Sequence, residues 1–528
     1  MALTAESRDG VVVAPHHLAS DAGRRVLADG GNAIEAMIAA AATIAVVYPH
    51  MNALGGDNFF LIGDGGAPLA IDACGAAGQA ASPEFYGDQG LAAIPSRGPL
   101  AALTAAGAVS GWQMALEESA RRGGSLPLSR LFEDAIQYAK NGTPVTGTLN
   151  RNCTEKLEEL IDIPGFSETF LADGIPIPEG DILRLPALAA TYEQLARAGL
   201  DDFYRGDVAG AIAADLETVG SPLTRADLEA HRALRVDSLS LDTRWGTLHN
   251  MPPPTQGLAS LIILGLFDRL GCEAADGFDY VHRLVEATKA AFRVRDREIT
   301  DPSYMKSRPA DFLTGEALDA MAAAIKPDHA QRWPDVTEQG DTVWLGAIDG
   351  NGLAVSFIQS IYWEFGSGIV LPQTGIVWQN RGTSFSLDPA SHNSLMPGRR
   401  PFHTIQPAMA RLDDGRLMVY GCMGGDGQPQ TQAAIFTRHV AFGQDLGQAI
   451  AAPRWLLGRT WGADTSNLRM ETRFDPSVIA ALRAAGHDIE LVDEFDEIMG
   501  HAGAIVRDTG GMISGASDPR CDGSAEGV

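Results

Sequence analysis

The sequence predicts a mixed α/β protein, and three observations support this class. The chain has 528 residues, which is longer than one hydrophobic core usually serves. Residues 107–326 show mostly helical periodicity, whereas the part after Asp341 shows mainly strand patterns. The two parts could form two domains, or strands from both could share one sheet between layers of helices. Composition does not decide between these arrangements.

The first hundred residues alternate strand and helix signals. The run VVV precedes a helix predicted from about Ser20 to Ala28, which the glycines at 30 and 31 end. Asn32 is then a cap for a second, buried helix. In FFLIGDGGAPLAIDA two apolar runs flank a glycine-rich turn and predict a hairpin.

Amphipathic helices follow between residues 107 and 326. One helical stripe holds Val281, Leu284, Val285, Thr288, Ala291 and Phe292. The segment 327–341 is polar and rich in Pro and Gly breaks, so we predict a linker there. Beyond it, strands are predicted for VWLGAI, LAVSFIQSIYW, GIVLPQTGIVW, RLMVYGCM and AGAIVR, and helices near 430–442 and 476–485.

The composition restricts the partners of the protein. Its net charge of −27, from 67 acidic and 40 basic residues, disfavours nucleic acid and anionic membranes. The longest apolar run, 36–47, is too short to span a bilayer, and MALTAESRDG lacks the features of a secretory signal. We therefore expect a cytoplasmic protein. The cysteines are scattered, without a CxxC or Cys/His cluster, so we predict no disulfide framework, metal site or organic cofactor.

One glycine-rich turn could carry chemistry. The sequence has no GxxxxGK[ST] loop, no HExxH and no GxSxG, so three common chemistries lose their main support. In GCMGGDGQPQ, however, Gly424 and Gly425 follow a predicted strand and precede a predicted helix. Adjacent glycines at such a turn can aim consecutive N–H groups at one point, as an oxyanion hole requires. They can equally serve only a tight turn.

Thr342 follows Asp341 where the polar segment meets the strand VWLGAI. Inside an intact chain a threonine here is an ordinary strand starter and a poor nucleophile, because nothing removes its hydroxyl proton. At a chain terminus its own α-amine, with an ordinary pKa of about 7.7–8.0, can act as the base. Cleavage of the Asp341–Thr342 bond would therefore supply nucleophile and base in one residue.

Ordered blocks along almost the whole chain resemble the γ-glutamyltranspeptidase-like N-terminal-nucleophile (Ntn) hydrolases. The matching blocks are APHHLASDAGRRVLADGGNAIEAMIAAA, LGGDNFFLI, MPPPTQG, VEATKAAFRVRDREITDP, DTVWLGAIDGNGLAVSFIQSIYWEFGSGIV, GRRPFHTIQPAM, GCMGGDGQPQ and GASDPR. The resemblance implies a four-layer αββα sandwich and autocatalytic cleavage before Thr342 into a large chain, 1–341, and a small chain, 342–528. These chains would form a heterodimer, or a dimer of heterodimers. The resemblance also implies that Thr342 attacks an amide carbonyl while the N–H groups of Gly424 and Gly425 hold the oxyanion.

Departures from the family pattern concern the substrate. Transpeptidases of the family hold the α-carboxylate of a γ-glutamyl donor with an arginine of the large chain, and Cys74 stands about at that place. Arg381 and Ser384 stand where the family has groups that hold the donor's α-amine, and His403 and Thr404 replace a serine pair. Each lost charge-assisted contact costs roughly 1.5–3 kcal/mol, so efficient γ-glutamyl binding is not expected.

Arg381 instead offers a fork for a simple carboxylate, although it could also form a salt bridge within the small chain. QNRG together with MGGDGQPQ is similar to the subgroup of oxamate amidohydrolases and glutaryl-type cephalosporin acylases. We expect a hydrolase of a small anionic, oxamate-like amide, with acyl transfer as a side activity. The alternatives are glutaryl-type cephalosporin acylase activity, a γ-glutamyl hydrolase or transferase with a degenerate donor site, and an uncleaved protein that only binds a small acid.

Further pocket residues follow from their positions in the family. Ser360 stands where a threonine hydrogen-bonds the nucleophile, and Tyr362 replaces an asparagine that contacts the donor amine. Asp426 and Gln428 lie beside the glycine pair. They could orient a leaving ammonia or a water, or only cap the following helix.

Overall fold

Two antiparallel sheets lie face to face between two layers of helices. A computed structural model describes residues 2–333, 341–458 and 467–528. Its strands are β1 (Thr4–Ser7), β2 (Gly10–Ala14), β3 (Asp57–Gly63), β4 (Leu69–Ala73), β5 (Thr143–Pro144), β6 (Leu171–Ala172), β7 (Ile175–Pro176), β8 (Ile182–Leu183), β9 (Leu234–Asp237), β10 (Leu239–Thr243), β11 (Gly246–Asn250), β12 (Asp341–Asp349), β13 (Ala354–Tyr362), β14 (Ala408–Leu412), β15 (Leu417–Cys422), β16 (Trp455–Leu457), β17 (Leu468–Glu471), β18 (Ile489–Val492), β19 (Ala502–Arg507), β20 (Ile513–Ser517) and β21 (Ser524–Gly527). Its α-helices are α1 (His17–Ala28), α2 (Ala33–Val47), α3 (Pro83–Gly87), α4 (Ala108–Arg121), α5 (Leu128–Leu131), α6 (Glu133–Asn141), α7 (Gly147–Glu155), α8 (Leu157–Leu160), α9 (Phe166–Phe170), α10 (Pro186–Ala198), α11 (Asp202–Arg205), α12 (Asp207–Val219), α13 (Arg225–Ala230), α14 (Gly257–Leu270), α15 (Phe278–Glu298), α16 (Gly315–Ala323), α17 (Gly427–Phe436), α18 (Leu446–Ala451) and α19 (Pro476–Ala484).

The stacking of the sheets creates three layers of core. The first sheet has the strand order β21-β2-β12-β13-β3-β4-β9, and the second has the order β1-β20-β19-β15-β14-β11-β10. Between them, Trp344 and Ile358 of the first sheet pack with Val419 and Ile505 of the second. The outer side of the first sheet packs on α2, which is buried all round, and the outer side of the second packs on α14, α17 and α18, with α15 against α14 and α17. The predicted four-layer αββα sandwich is confirmed.

Strands from both sides of the Asp341–Thr342 bond share both sheets. In the first sheet β2, β3, β4 and β9 from the first part lie beside β12, β13 and β21 from the second. In the second sheet β1, β10 and β11 join β14, β15, β19 and β20. The alternative of a helical domain followed by a sheet domain is therefore wrong. Strand partners are set by packing across the whole chain, so local patterns do not reveal them.

Most of the predicted local elements are confirmed, and two are wrong. Asn32 caps α2: its Oδ1 accepts from the N–H of Glu35, whose carboxylate accepts from the N–H of Asn32. Residues 234–250, inside the region predicted as helical, form β9, β10 and β11. GIVLPQTGIVW carries a tight turn and two isolated bridges, Val370 with Val377 and Trp378 with Gly55, instead of a strand, because its Pro and Gly interrupt the ladder.

Of the linker predicted at 327–341, residues 334–340 lie outside the described residues, and 327–333 contain neither helix nor strand. Within the described ranges, no helix combines the length and the apolar character that crossing a membrane requires.

Candidate active site

Thr342 lies at the start of β12, beside a bulge in the neighbouring strand β13. Asp341 is paired with Tyr362, and the register then shifts before Val343. Two residues of β13, one of them Ser360, therefore oppose the single residue Thr342. The side chain of Thr342 is fully buried, and its Oγ1 accepts a hydrogen bond from Gln428 Nε2 at 3.3 Å. The hydroxyl thus has a defined partner in the intact chain.

The glycine turn joins β15 to α17. Gly424 and Gly425 have φ angles of 105° and 44°, in the left-handed region that side chains disfavour. The carbonyl of Gly424 accepts from the N–H of Gly427 at 2.6 Å. Because a peptide group is planar and trans, the N–H of Gly425 points to the opposite side. The turn can therefore present a backbone donor to a developing negative charge.

A buried polar clamp holds this turn from behind. Gln256 Nε2 donates to the carbonyls of Gly425 at 2.8 Å and Thr404 at 2.6 Å. Its Oε1 accepts from Nη1 of Arg295 on α15 at 2.9 Å. The same Nη1 is 2.6 Å from Oδ1 of Asp426, and all these side chains are buried. The carboxylate of Asp426 is thus directed at Arg295 instead of capping α17.

Arg381 is fully buried beside Tyr362 of β13, the strand that pairs with β12. Its guanidinium carbon is 3.3 Å from the centroid of the Tyr362 ring, and its Nη1 donates to Thr404 Oγ1 at 3.2 Å. Tyr362 has a φ of 83°, a conformation that non-glycine residues rarely adopt and that clusters at functional sites. Because Tyr362 also pairs with Asp341, the guanidinium lies two contacts away from the backbone that precedes Thr342.

A buried carboxylate lies behind His403. The Nε2 atom of His403 is 3.0 Å from Oδ2 of Asp57, and the Nδ1 atom of His403 is 3.5 Å from Nη1 of Arg381. Burial lowers the pKa of His403 well below its ordinary value, so the ring is neutral at pH 7. Burial also raises the pKa of Asp57 to about 6, which leaves it ionised at pH 7. A carboxylate only accepts and a guanidinium only donates, so the ring proton is on Nε2 and Nδ1 accepts from Arg381.

Cys74 lies beside this pair. The ligand atoms of Asp57, Cys74 and His403 are all within 4.8 Å of one another, and burial raises the pKa of the Cys74 thiol well above its usual range. Such a set could in principle bind a metal. The guanidinium of Arg381, in contact with the same imidazole, would repel a second cation there.

Two of the predicted hydroxyls stabilise the backbone of other site residues. Ser384 Oγ donates to the carbonyls of Arg381 at 3.1 Å and Phe402 at 3.2 Å. Ser360 Oγ accepts from the N–H of Tyr362 at 2.8 Å. Direct contact of these hydroxyls with a substrate, or of Ser360 with the nucleophile, stays a prediction.

Three residues of the candidate site are not among those that the sequence predicts: Asp57, Gln256 and Arg295. Each lies in a block that carries the family resemblance, namely LGGDNFFLI, MPPPTQG and VEATKAAFRVRDREITDP. A polar residue next to a buried strand or on the face of a buried helix was the available signal. This signal is insufficient because a buried polar residue needs a hydrogen-bond partner, but the sequence does not show which residue that partner is.

Comparisons with known proteins match nearly the whole chain. The family described as gamma-glutamyltranspeptidase matches residues 19–528. The chain is 56% identical over 523 residues to the oxamate amidohydrolase proenzyme of Klebsiella pneumoniae subsp. pneumoniae, covering 99% of both. It is 39% identical over 527 residues to the glutathione hydrolase-like YwrD proenzyme of Bacillus subtilis, covering 98% of both. The crystal structure of cephalosporin acylase from Bacillus halodurans is similar with a TM-score of 0.91 at 32% identity, over 99% of this chain and 97% of that one.

Proposed function

Because the chain belongs to the γ-glutamyltranspeptidase family, we propose that it is an autoprocessed hydrolase of small carboxylate-bearing amides such as oxamate. Like its relatives, it is a hydrolase that acts on amide C–N bonds. The Asp341–Thr342 bond is the cleavage site, and Thr342 is the nucleophile. Chains 1–341 and 342–528 stay together after cleavage because they share both sheets.

Cleavage frees the α-amine of Thr342, which in its neutral form takes the Oγ1 proton as that oxygen attacks the amide carbonyl. The carbonyl electrons move to oxygen, and the N–H groups of Gly424 and Gly425 stabilise the oxyanion. Collapse of the tetrahedral intermediate expels ammonia, which takes a proton from the ammonium, and leaves an ester on Thr342. Water, deprotonated by the same amine, hydrolyses the ester and releases the acid.

The buried guanidinium of Arg381 is the observation that carries the substrate class. Its guanidinium stacks on Tyr362 of β13, the strand that pairs with β12, and donates to Thr404. A substrate carboxylate would form a charge-assisted pair with it in a site that excludes water, where such pairs are strongest. In oxamate the carboxylate is bonded directly to the amide carbon, so cation and nucleophile must lie close together.

Glutaryl-type acylase activity is the second candidate, and the similarity to the cephalosporin acylase structure favours it. A glutaryl group places its carboxylate several bonds from the scissile carbonyl and therefore needs a longer pocket. A γ-glutamyl donor is disfavoured because Cys74, a buried and neutral thiol, stands where the family uses a cation.

A denaturing gel with mass analysis tests the cleavage. We expect two fragments that meet at Asp341 and Thr342, one uncut band for Thr342→Ala, and retained cleavage for Thr342→Ser, which keeps a hydroxyl. Fragments in Thr342→Ala, or a wild-type chain that stays whole and still hydrolyses oxamate, would contradict the proposed nucleophile.

Ammonia release from oxamate, a glutaryl amide and a γ-glutamyl anilide tests the substrate. We expect the highest kcat/KM for oxamate. Arg381→Ala should lower that value by roughly 10- to 150-fold, which corresponds to about 1.5–3 kcal/mol for a hydrogen-bonded charge pair. Arg308→Ala, at an exposed arginine, serves as the matched control. Unchanged turnover in Arg381→Ala would show that another group binds the carboxylate.

A further inference from the structure

Three side chains of types that bind metals meet at a point that none of the active-site contacts described above involves. His282 and Glu286 are one turn apart on α15, so they project from the same face of the helix. His487 follows α19. One ligand atom from each residue lies within 4.8 Å of the other two, and all three residues are buried.

One hydrogen bond joins the two imidazole rings of this cluster. His282 Nε2 is 2.8 Å from the carbonyl of Lys326, and a carbonyl only accepts, so this nitrogen carries the hydrogen. In the neutral ring with this tautomer, Nδ1 of His282 carries a lone pair, and it faces Nε2 of His487 at 2.8 Å. The backbone hydrogen bond on the far nitrogen fixes the tautomer, as second-shell partners of metal-bound histidines do.

We propose that His282, Glu286 and His487 form a binding site for one divalent zinc-type ion. The ion would replace the proton between the imidazoles, which would pass to the other nitrogen of His487. Two nitrogens on a tetrahedral zinc ion are roughly 3.3 Å apart, so the rings need to separate by only about half an ångström. Two histidines and one glutamate are a ligand set that zinc uses with an open fourth position.

An adjoining cavity can supply the fourth ligand. It has a volume of about 440 Å³, and its walls include His487, His329 and Asp488. Water entering from this side could complete the tetrahedron. Of the three ligands His487 lines this cavity, so an ion would reach the cluster from the His487 side.

Lys289 would compete with a metal ion for the carboxylate of Glu286. Its Nζ is 2.6 Å from Glu286 Oε1, while Glu286 Oε2 accepts from the N–H of Gln331 at 3.0 Å. Lys289 also donates to the carbonyl of Gln331 at 2.7 Å, which gives it a second partner. An ion on Glu286 must therefore share the carboxylate with an ammonium group. Removing that ammonium should tighten metal binding, whereas it would have no such effect on a cluster that only packs.

The site would join the two chains of the processed protein. His282 and Glu286 belong to 1–341, and His487 belongs to 342–528. Its ligands are present in the uncut chain as well, so a failure of the cleavage proposal leaves this inference standing.

Zinc titration of the full protein, stripped of metal with a chelator, tests the site. We expect one equivalent of Zn²⁺ to bind, a rise in melting temperature on binding, and a loss of affinity of roughly 100-fold in His487→Ala and Glu286→Gln. Lys289→Gln should bind more tightly than the wild type. His249→Gln, at a buried histidine outside the cluster, is the control, and His282→Gln replaces His487→Ala if that variant does not fold.

Cobalt substitution excludes the cysteines as ligands, because thiolate ligands produce a sulfur-to-cobalt charge-transfer band. The proposal is overturned if such a band appears with the bound equivalent, or if the wild type binds no stoichiometric Zn²⁺. It is also overturned if affinity is unchanged in His487→Ala and Glu286→Gln, or if Lys289→Gln fails to bind more tightly.

Discussion

Replacing Gln256 with methionine would release the glycine turn while keeping the volume of the side chain. Gln256 Nε2 donates to the carbonyls of Gly425 and Thr404, and its Oε1 accepts from Arg295. Methionine can donate to neither carbonyl. The Gly425 carbonyl would then keep only the 3.4 Å contact from the N–H of Gln428, and the adjoining Gly424–Gly425 peptide, whose N–H faces the proposed oxyanion, would be held less firmly.

The expected effect follows from the hydrogen bond that the turn itself loses. The bond to the Gly425 carbonyl has a net value of about 0.5–1.5 kcal/mol, and the turn loses that much restraint. Expressed as a rate, this is a loss of roughly 2- to 13-fold in kcat. Complete loss of one oxyanion donor costs roughly 10²–10³-fold, which sets the upper limit. KM should change little, because the oxyanion exists only in the transition state and the tetrahedral intermediate.

The assay is steady-state hydrolysis of oxamate, normalised to the amount of processed small chain on a denaturing gel. Gln432→Met is the matched control. Gln432 is also fully buried, and its Nε2 donates to the carbonyl of Gln406 at 3.0 Å, but it lies further along α17. It should lower stability without lowering kcat. An unchanged kcat in Gln256→Met, at a stability reduced as in the control, would refute the role of the clamp.

Three further predictions concern stability. The raised pKa of Asp57, about 6 against 3.8, contributes stability that is fully present below pH 3.8 and lost as pH rises through 6. The stability of the wild type relative to Asp57→Asn should therefore fall by about 2.4 kcal/mol between pH 4 and pH 7, and a constant difference in urea unfolding would contradict this. Gly421→Ala places a Cβ 2.0 Å from the Trp344 ring and should lower the free energy of unfolding in urea by about 1–3 kcal/mol. A variant as stable as the wild type would show that the ring can move. Arg295→Met should lower the free energy of unfolding by about 3–5 kcal/mol in the same assay, because it breaks a buried ion pair with Asp426. The double variant Arg295→Met/Asp426→Leu should lose less than Arg295→Met alone. Equal losses in the single and the double variant would show that the two side chains are uncoupled.

The sequence alone determined the features that depend on neighbours along the chain. Spacing and turn chemistry predict the Asn32 cap, the long amphipathic helix α15, the β3–β4 hairpin and the strand that starts near Thr342. The glycine turn at Gly424 and Gly425 was also visible, because left-handed backbone requires glycine locally. The family blocks then assigned the four layers and the proposed nucleophile.

The tertiary structure alone decided which distant residues meet. It placed strands from both parts in shared sheets, which no local pattern distinguishes from two separate domains. It paired Asp57 with His403, which are 346 positions apart, and directed Arg295 to the glycine turn. The physical reason is that a buried polar group must find a partner, and sheet packing can bring that partner from anywhere in the chain.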